Sequence, residues 1–214
     1  MNPYQDFDNA ASLALINRMI AQAKEDFADY SFQPLLWGWT VALAALTQYA
    51  LLQRGYGAAT GLVWAGVLPL TGVVSLAHGI RQGQQQGSIG QRSLINRVTG
   101  YLWGSIGAAF GITTALMFQP GLGGFQAGYV FFICLFGVGT LTTGGLIRFR
   151  PLQVGGGLCF LIATGALFVA GPALLLLLAL ALLVSYIVPG HLLRAESRRK
   201  RTEYEQAVGA PNYV

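Results

Sequence analysis

Apolar residues arrive along this chain in six long runs, broken by short polar or glycine-bearing stretches. A bilayer core about 30 Å thick needs about 20 helical residues at about 1.5 Å each. The runs fall at about residues 35–54, 59–80, 101–118, 125–147, 152–170 and 172–193, each close to that length. Only Gly171 and Pro172 separate the last two. One helix through both would be about twice too long for the hydrocarbon. The pattern therefore predicts a tight hairpin, with Pro172 opening the sixth helix, where its missing N–H costs nothing.

A different period precedes these runs. Leu13, Ile16, Ile20, Ala23, Phe27 and Tyr30 recur at three- and four-residue steps, while Arg18, Lys24, Glu25 and Asp29 lie elsewhere on the same helix. That is the pattern of an amphipathic cytoplasmic helix from Asn9 to about Tyr30, capped by Asp8 or Asn9. Leu13, Ile16, Ile20 and Phe27 are its candidates for packing beneath the bundle or docking a partner helix. Its acids disfavour simple adsorption to anionic lipid. The predicted fold is all-α: a polytopic transmembrane helix bundle of six spans in three hairpins. Residues 1–34 form the cytoplasmic or interfacial helix, 35–193 the membrane domain and 194–214 a basic cytoplasmic tail.

Charge orients this threading. With the N-terminus inside, every one of the 13 Lys and Arg residues except Arg54 falls on the cytoplasmic side. The positive-inside rule then places both termini in the cytoplasm. No carboxylate occurs between Asp29 and Glu196, so general acid–base catalysis within the bundle has no agent and an ion-coupled relay has no acid. Phosphate-binding Gly loops ending in Lys, His-Glu-x-x-His and serine nucleophile elbows do not occur either. The chain reads as a non-enzyme with no cofactor. The net charge of +5 resides at the flanks of apolar runs, which is not a nucleic-acid footprint.

Among 29 glycines, Gly100, Gly104, Gly107 and Gly111 of the third run contain two Gly-x-x-x-Gly pairs, candidates for close helix packing or an oligomer face. Pro69 is expected to kink the second helix. Intramembrane polarity is limited to hydroxyls such as Thr113, Thr114 and Thr142 and one amide, Gln48, for which interhelical hydrogen bonds suffice. Trp37, Trp39, Tyr101 and Trp103 stand where interfacial aromatic anchors belong. His78 and His191 make a poor metal pair, and Cys134 and Cys159 read as small core residues. Arg198, Arg199, Lys200 and Arg201 are lipid-headgroup candidates just below the membrane. Charge pairs at i,i+4 (Glu196–Lys200, Arg199–Glu203, Arg201–Glu205) predict that the sixth helix continues outward. Leu36-Trp37-Gly38 recurs as Leu102-Trp103-Gly104, and Leu15-Ile16-Asn17-Arg18 as Leu94-Ile95-Asn96-Arg97, the trace of a possible duplication.

The stretches Ser31-Phe32-Gln33-Pro34-Leu35-Leu36-Trp37-Gly38-Trp39 and Tyr186-Ile187-Val188-Pro189-Gly190-His191-Leu192-Leu193 resemble uncharacterised small bacterial six-span inner-membrane proteins. The resemblance implies a bacterial cytoplasmic membrane and carries over no functional residue. Two functions are expected. One is an oligomeric interaction protein (scaffold, accessory subunit or membrane sensor) whose partners are membrane lipids, a protein or further copies of itself. The other is a small channel or facilitator for a neutral or weakly polar solute.

Overall fold

Every element among the described residues is helical, and glycine sets how closely the helices approach. The computed structural model describes residues 31–85, 94–119 and 124–209. The expected N-terminal helix, with Leu13, Ile16, Ile20 and Phe27, lies outside them, as do residues 86–93 between the second and third runs. In order come α1 (Ser31–Gln53), a 3₁₀ turn (Gly57–Ala59), α2 (Thr60–Gln85), α3 (Leu94–Met117) and α4 (Gly124–Leu146). They are followed by α5 (Arg150–Ala166), α6 (Ala173–Leu182), a π turn (Leu183–Ile187) and α7 (Val188–Gly209). Residues 34–189 form one compact unit, and residues 1–33 with 190–214 a second.

Four stretches are long and apolar enough to cross a membrane: Ser31–Gln53, Thr60–Arg81, Gly124–Leu146 and Ala173–Arg199. The chain thus has the make-up of a multi-pass membrane protein. α5 has 17 residues, below the roughly 20 a bilayer core asks for. α3 is long enough at 24 residues, but glycine, serine and threonine dilute its apolar content. The expected loop between the second and third helices is also shorter than its polarity implied. α2 continues to Gln85 and α3 is already helical at Leu94, because Gln, Arg and Leu sustain a helix without an apolar face.

In the unit 34–189 the helices pair antiparallel. Gly137 meets the backbone of Gly156 and the Cys159 side chain, while Gly144 meets Leu152 and Gln153, which aligns α4 with α5. Gly139 lies under the Trp103 indole and Gly128 under Met117, aligning α3 with α4. Gly155 touches Val184, and the Cys159 thiol lies 3.7 Å from the Ala181 carbonyl, bringing α5 against α6 and the π turn. Ile133, Cys159, Ala163, Leu175, Leu178 and Leu182 join Val41 and Ala45 of α1 in the core. Lipid tails are as apolar as leucine, so exclusion from water cannot drive these pairings; close van der Waals contact does, and small residues allow it.

α2 stands apart. Thr71 is the one buried residue among its described side chains, and Leu62, Leu70 and Leu76 are 75, 67 and 65% exposed. Two indoles tie it to α1. Trp37 Nε1 donates to Ser75 Oγ at 3.4 Å, and Trp64 Nε1 donates to Gln48 Oε1 at 2.7 Å.

Two helices end in the same way. At the end of α1 the Gly55 N–H reaches the Leu52 carbonyl and the Tyr56 N–H the Leu51 carbonyl, with Gly55 at φ +82°. At the end of α4 the Arg148 N–H reaches the Gly145 carbonyl and the Phe149 N–H the Gly144 carbonyl, with Arg148 at φ +55°. Both are Schellman turns, whose left-handed residue is usually glycine. An L side chain there costs on the order of 1 kcal/mol.

Candidate functional site

Helix α3 presents two faces. Trp103, Ile106, Phe110, Thr113 and Met117 recur at helical spacing toward α4. Phe110 packs on Phe132 and Phe136 at centroid distances of 5.2 and 4.8 Å. Gly100, Gly104, Gly107 and Gly111 are exposed and lie roughly a third of a turn around the helix, at about 100° per residue. No described residue lies within 4 Å of where a Cβ would stand on any of the four. The contrast with the inner glycines is sharp. A Cβ on Gly156 would stand 2.5 Å from the Leu141 nitrogen, and one on Gly38 2.8 Å from the Tyr186 Cβ. Thus the Gly-x-x-x-Gly pairs of α3 pack against no other helix among the described residues.

The hydroxyls that would line a solute path are mostly taken by their own helices. Thr40, Thr71, Thr114, Thr140, Thr164 and Ser185 each donate to the carbonyl four residues before, at 2.6–2.8 Å. Thr113 is buried, whereas Thr114 and Thr142 are exposed, so these three do not converge. Pro69 lies inside α2 without ending it. Between α3 and α4 there is a cavity of about 200 Å³ lined by Thr113, Leu116, Met117, Gly124, Ala127, Gly128 and Phe131.

Gln48 has more company than its isolation in the sequence implies. Its Oε1 accepts from both Trp64 Nε1 at 2.7 Å and the Tyr129 hydroxyl at 3.1 Å, joining α1, α2 and α4 at one polar node. Nothing in the spacing of residues 48, 64 and 129 announces it; a lone amide in an apolar run was the available signal. The aromatic flanks also divide. Trp39 and Tyr101 are 46 and 75% exposed, as anchors should be. Trp37 and Trp103 turn inward, and Trp103 Nε1 donates to Thr143 Oγ1 at 3.2 Å. The Trp103 ring also meets the buried Tyr186 edge-on at 5.9 Å. The hydroxyl of Tyr186 has no hydrogen-bond partner among the described residues, and its residue belongs to the π turn.

At the other candidate sites, Arg198 and Arg199 are exposed on α7, which carries the chain as helix to Gly209. The side chains of Lys200 and Arg201 lie outside the described residues, with Leu13, Ile16, Ile20 and Phe27. Cys159 is buried and Cys134 half-buried, and both are free thiols. Set against known protein families, curated proteins and solved structures, the chain matches none.

Proposed function

We propose that this chain is a six-span protein of the bacterial cytoplasmic membrane with both termini inside, acting without catalysis as a scaffold, accessory subunit or membrane sensor. It assembles with copies of itself through the glycine face of α3. Its N-terminal helix and basic tail engage a protein partner or anionic lipid. The observation that carries this reading is the outward row Gly100, Gly104, Gly107 and Gly111, with open space above each Cα among the described residues, in a chain where α3, α4, α5 and α6 meet at glycines. Small residues of this kind let two helices in lipid approach closely enough for extensive contact.

The test is the mass of the purified protein in lipid nanodiscs. The wild-type chain should be oligomeric, and Gly104→Leu with Gly107→Leu should return it to the monomer without loss of folded protein. A monomeric wild-type protein in a native-lipid disc would end this reading. The facilitator reading draws on the cavity between α3 and α4, where Thr113 supplies polarity. Uptake of a small neutral solute by proteoliposomes, lost on Thr113→Val, would favour it instead.

A further inference from the structure

Among the described residues, positive φ falls on three glycines (Gly55, Gly124 and Gly171) and on one residue with a side chain, Arg148. The Schellman turns ending α1 and α4 are equivalent, yet the first carries Gly55 and the second Arg148 at the left-handed position. This chain has 29 glycines, and at every other left-handed position among the described residues it places one. An arginine kept against that backbone preference points to a use for its guanidinium.

That use is not structural. Arginine near a helix C-terminus often caps the last carbonyls. Here those carbonyls are already occupied: Thr143 by the Ile147 N–H, Gly145 by the Arg148 N–H, and Gly144 by both the Phe149 N–H and Gln153 Nε2. No carboxylate occurs in the sequence between Asp29 and Glu196, so none lies near it along the chain. Arg148 and Arg150 are both exposed, on either side of Phe149, which is only 8% exposed and pins the turn to the unit 34–189. Neither guanidinium has a partner among the described residues.

We propose that Arg148 and Arg150 form a fixed two-arginine clasp for the phosphate of an anionic membrane lipid. α4 has 23 residues, about 35 Å at about 1.5 Å each, so a turn at its end stands at headgroup depth. Guanidinium presents forked donors that match phosphate oxygens two at a time. The three-residue connection places both arginines, two residues apart, at the same turn. The clasp rests on the chain being in a bilayer, and not on self-assembly or a protein partner.

The test follows thermal unfolding of the full-length protein in a neutral maltoside detergent while phosphatidylglycerol or phosphatidylcholine is titrated into the micelles. Phosphatidylglycerol should stabilise the wild-type protein and phosphatidylcholine should not. Arg148→Gly should melt higher than wild type without lipid, because glycine relieves the left-handed backbone. Yet it should need roughly fivefold more phosphatidylglycerol for half its effect, the loss expected of one basic residue at a membrane surface. Arg150→Gln should show a similar loss. The double variant should respond to the two lipids alike. A double variant with the wild-type phosphatidylglycerol response would overturn the clasp. So would equal stabilisation of the wild type by phosphatidylcholine, or by inorganic phosphate without lipid. Loading is read independently of oligomer mass, so failure of the clasp leaves the assembly reading standing, and the reverse holds too.

Discussion

A glycine in this protein does one of two jobs, and a single methyl group distinguishes them. Added at Gly156 it would press on the Leu141 nitrogen and the Thr140 hydroxyl, and at Gly155 on the Val184 carbonyl, all parts of neighbouring helices that cannot yield locally. Gly156→Ala should therefore destabilise the folded state by about 1–3 kcal/mol, as overpacking does. Gly107→Ala meets open space and should stay within about 0.5 kcal/mol of wild type. Reversible unfolding in mixed detergent and dodecyl sulfate micelles, followed by modification of the buried Cys159 thiol, measures both. Equal effects at the two positions would mean that the division is wrong. Sequence shows all of these glycines as equivalent small residues in apolar runs. What separates them is which neighbour faces each one, and the neighbours lie tens of residues away.

At the scale of elements, α2 is the outlier, attached through an indole bond toward each of its ends and buried at little more than Thr71. Gln48→Leu removes the acceptor shared by Trp64 and Tyr129 and loosens one end of that attachment. A double-mutant cycle of Gln48→Leu with Trp64→Phe should give a coupling of about 0.6 kcal/mol, the usual size of an interhelical hydrogen bond in membranes. A coupling indistinguishable from zero would show the node to be incidental. Helix order among the described residues was legible in the sequence because the runs are predominantly apolar, though only four are long and apolar enough to cross a membrane. The partners of Trp37 and Trp103 were not, since an inward indole and an interfacial one look identical in sequence. Their placement gives the repeated Leu-Trp-Gly a meaning: each Trp donates to a hydroxyl on the following helix, Ser75 or Thr143. The second glycines diverge, Gly38 packing on Tyr186 while Gly104 stays open. The π turn had no sequence signal at all. Gly38 of α1 and Gly155 of α5 both reach its own backbone or Cβ atoms, a circumstance of packing.

For the whole molecule, charge distribution makes the sharpest expectation. Arg54 is the lone basic residue on the outer side of the six-span threading. Tyr56 and Phe168, 62 and 87% exposed, fall in the two outer connections among the described residues. Tyr56→Cys and Phe168→Cys should react with a membrane-impermeant maleimide in intact cells, and Arg150→Cys only after permeabilisation. Labelling of Arg150→Cys from outside would invert the orientation, and protection of Phe168→Cys would remove the fifth and sixth crossings. The pattern of basic flanks is the sequence signal for that threading, and the labelling tests it. The clasp at Arg148 and Arg150 was not readable, because both residues already had an explanation as topology determinants. Only the φ of Arg148 sets it apart.

The brevity of residues 147–149 between α4 and α5 has a consequence for biogenesis. Three residues give no slack, so the ribosome-bound chain cannot release α4 sideways into lipid while α5 waits in an aqueous conduit. With 17 residues, α5 is too short to partition well unaided and should enter with the helix before it, against which it packs along Gly137, Gly144 and Gly156. Lengthening that linker would uncouple the two events, and α5 would be the helix left stranded in water.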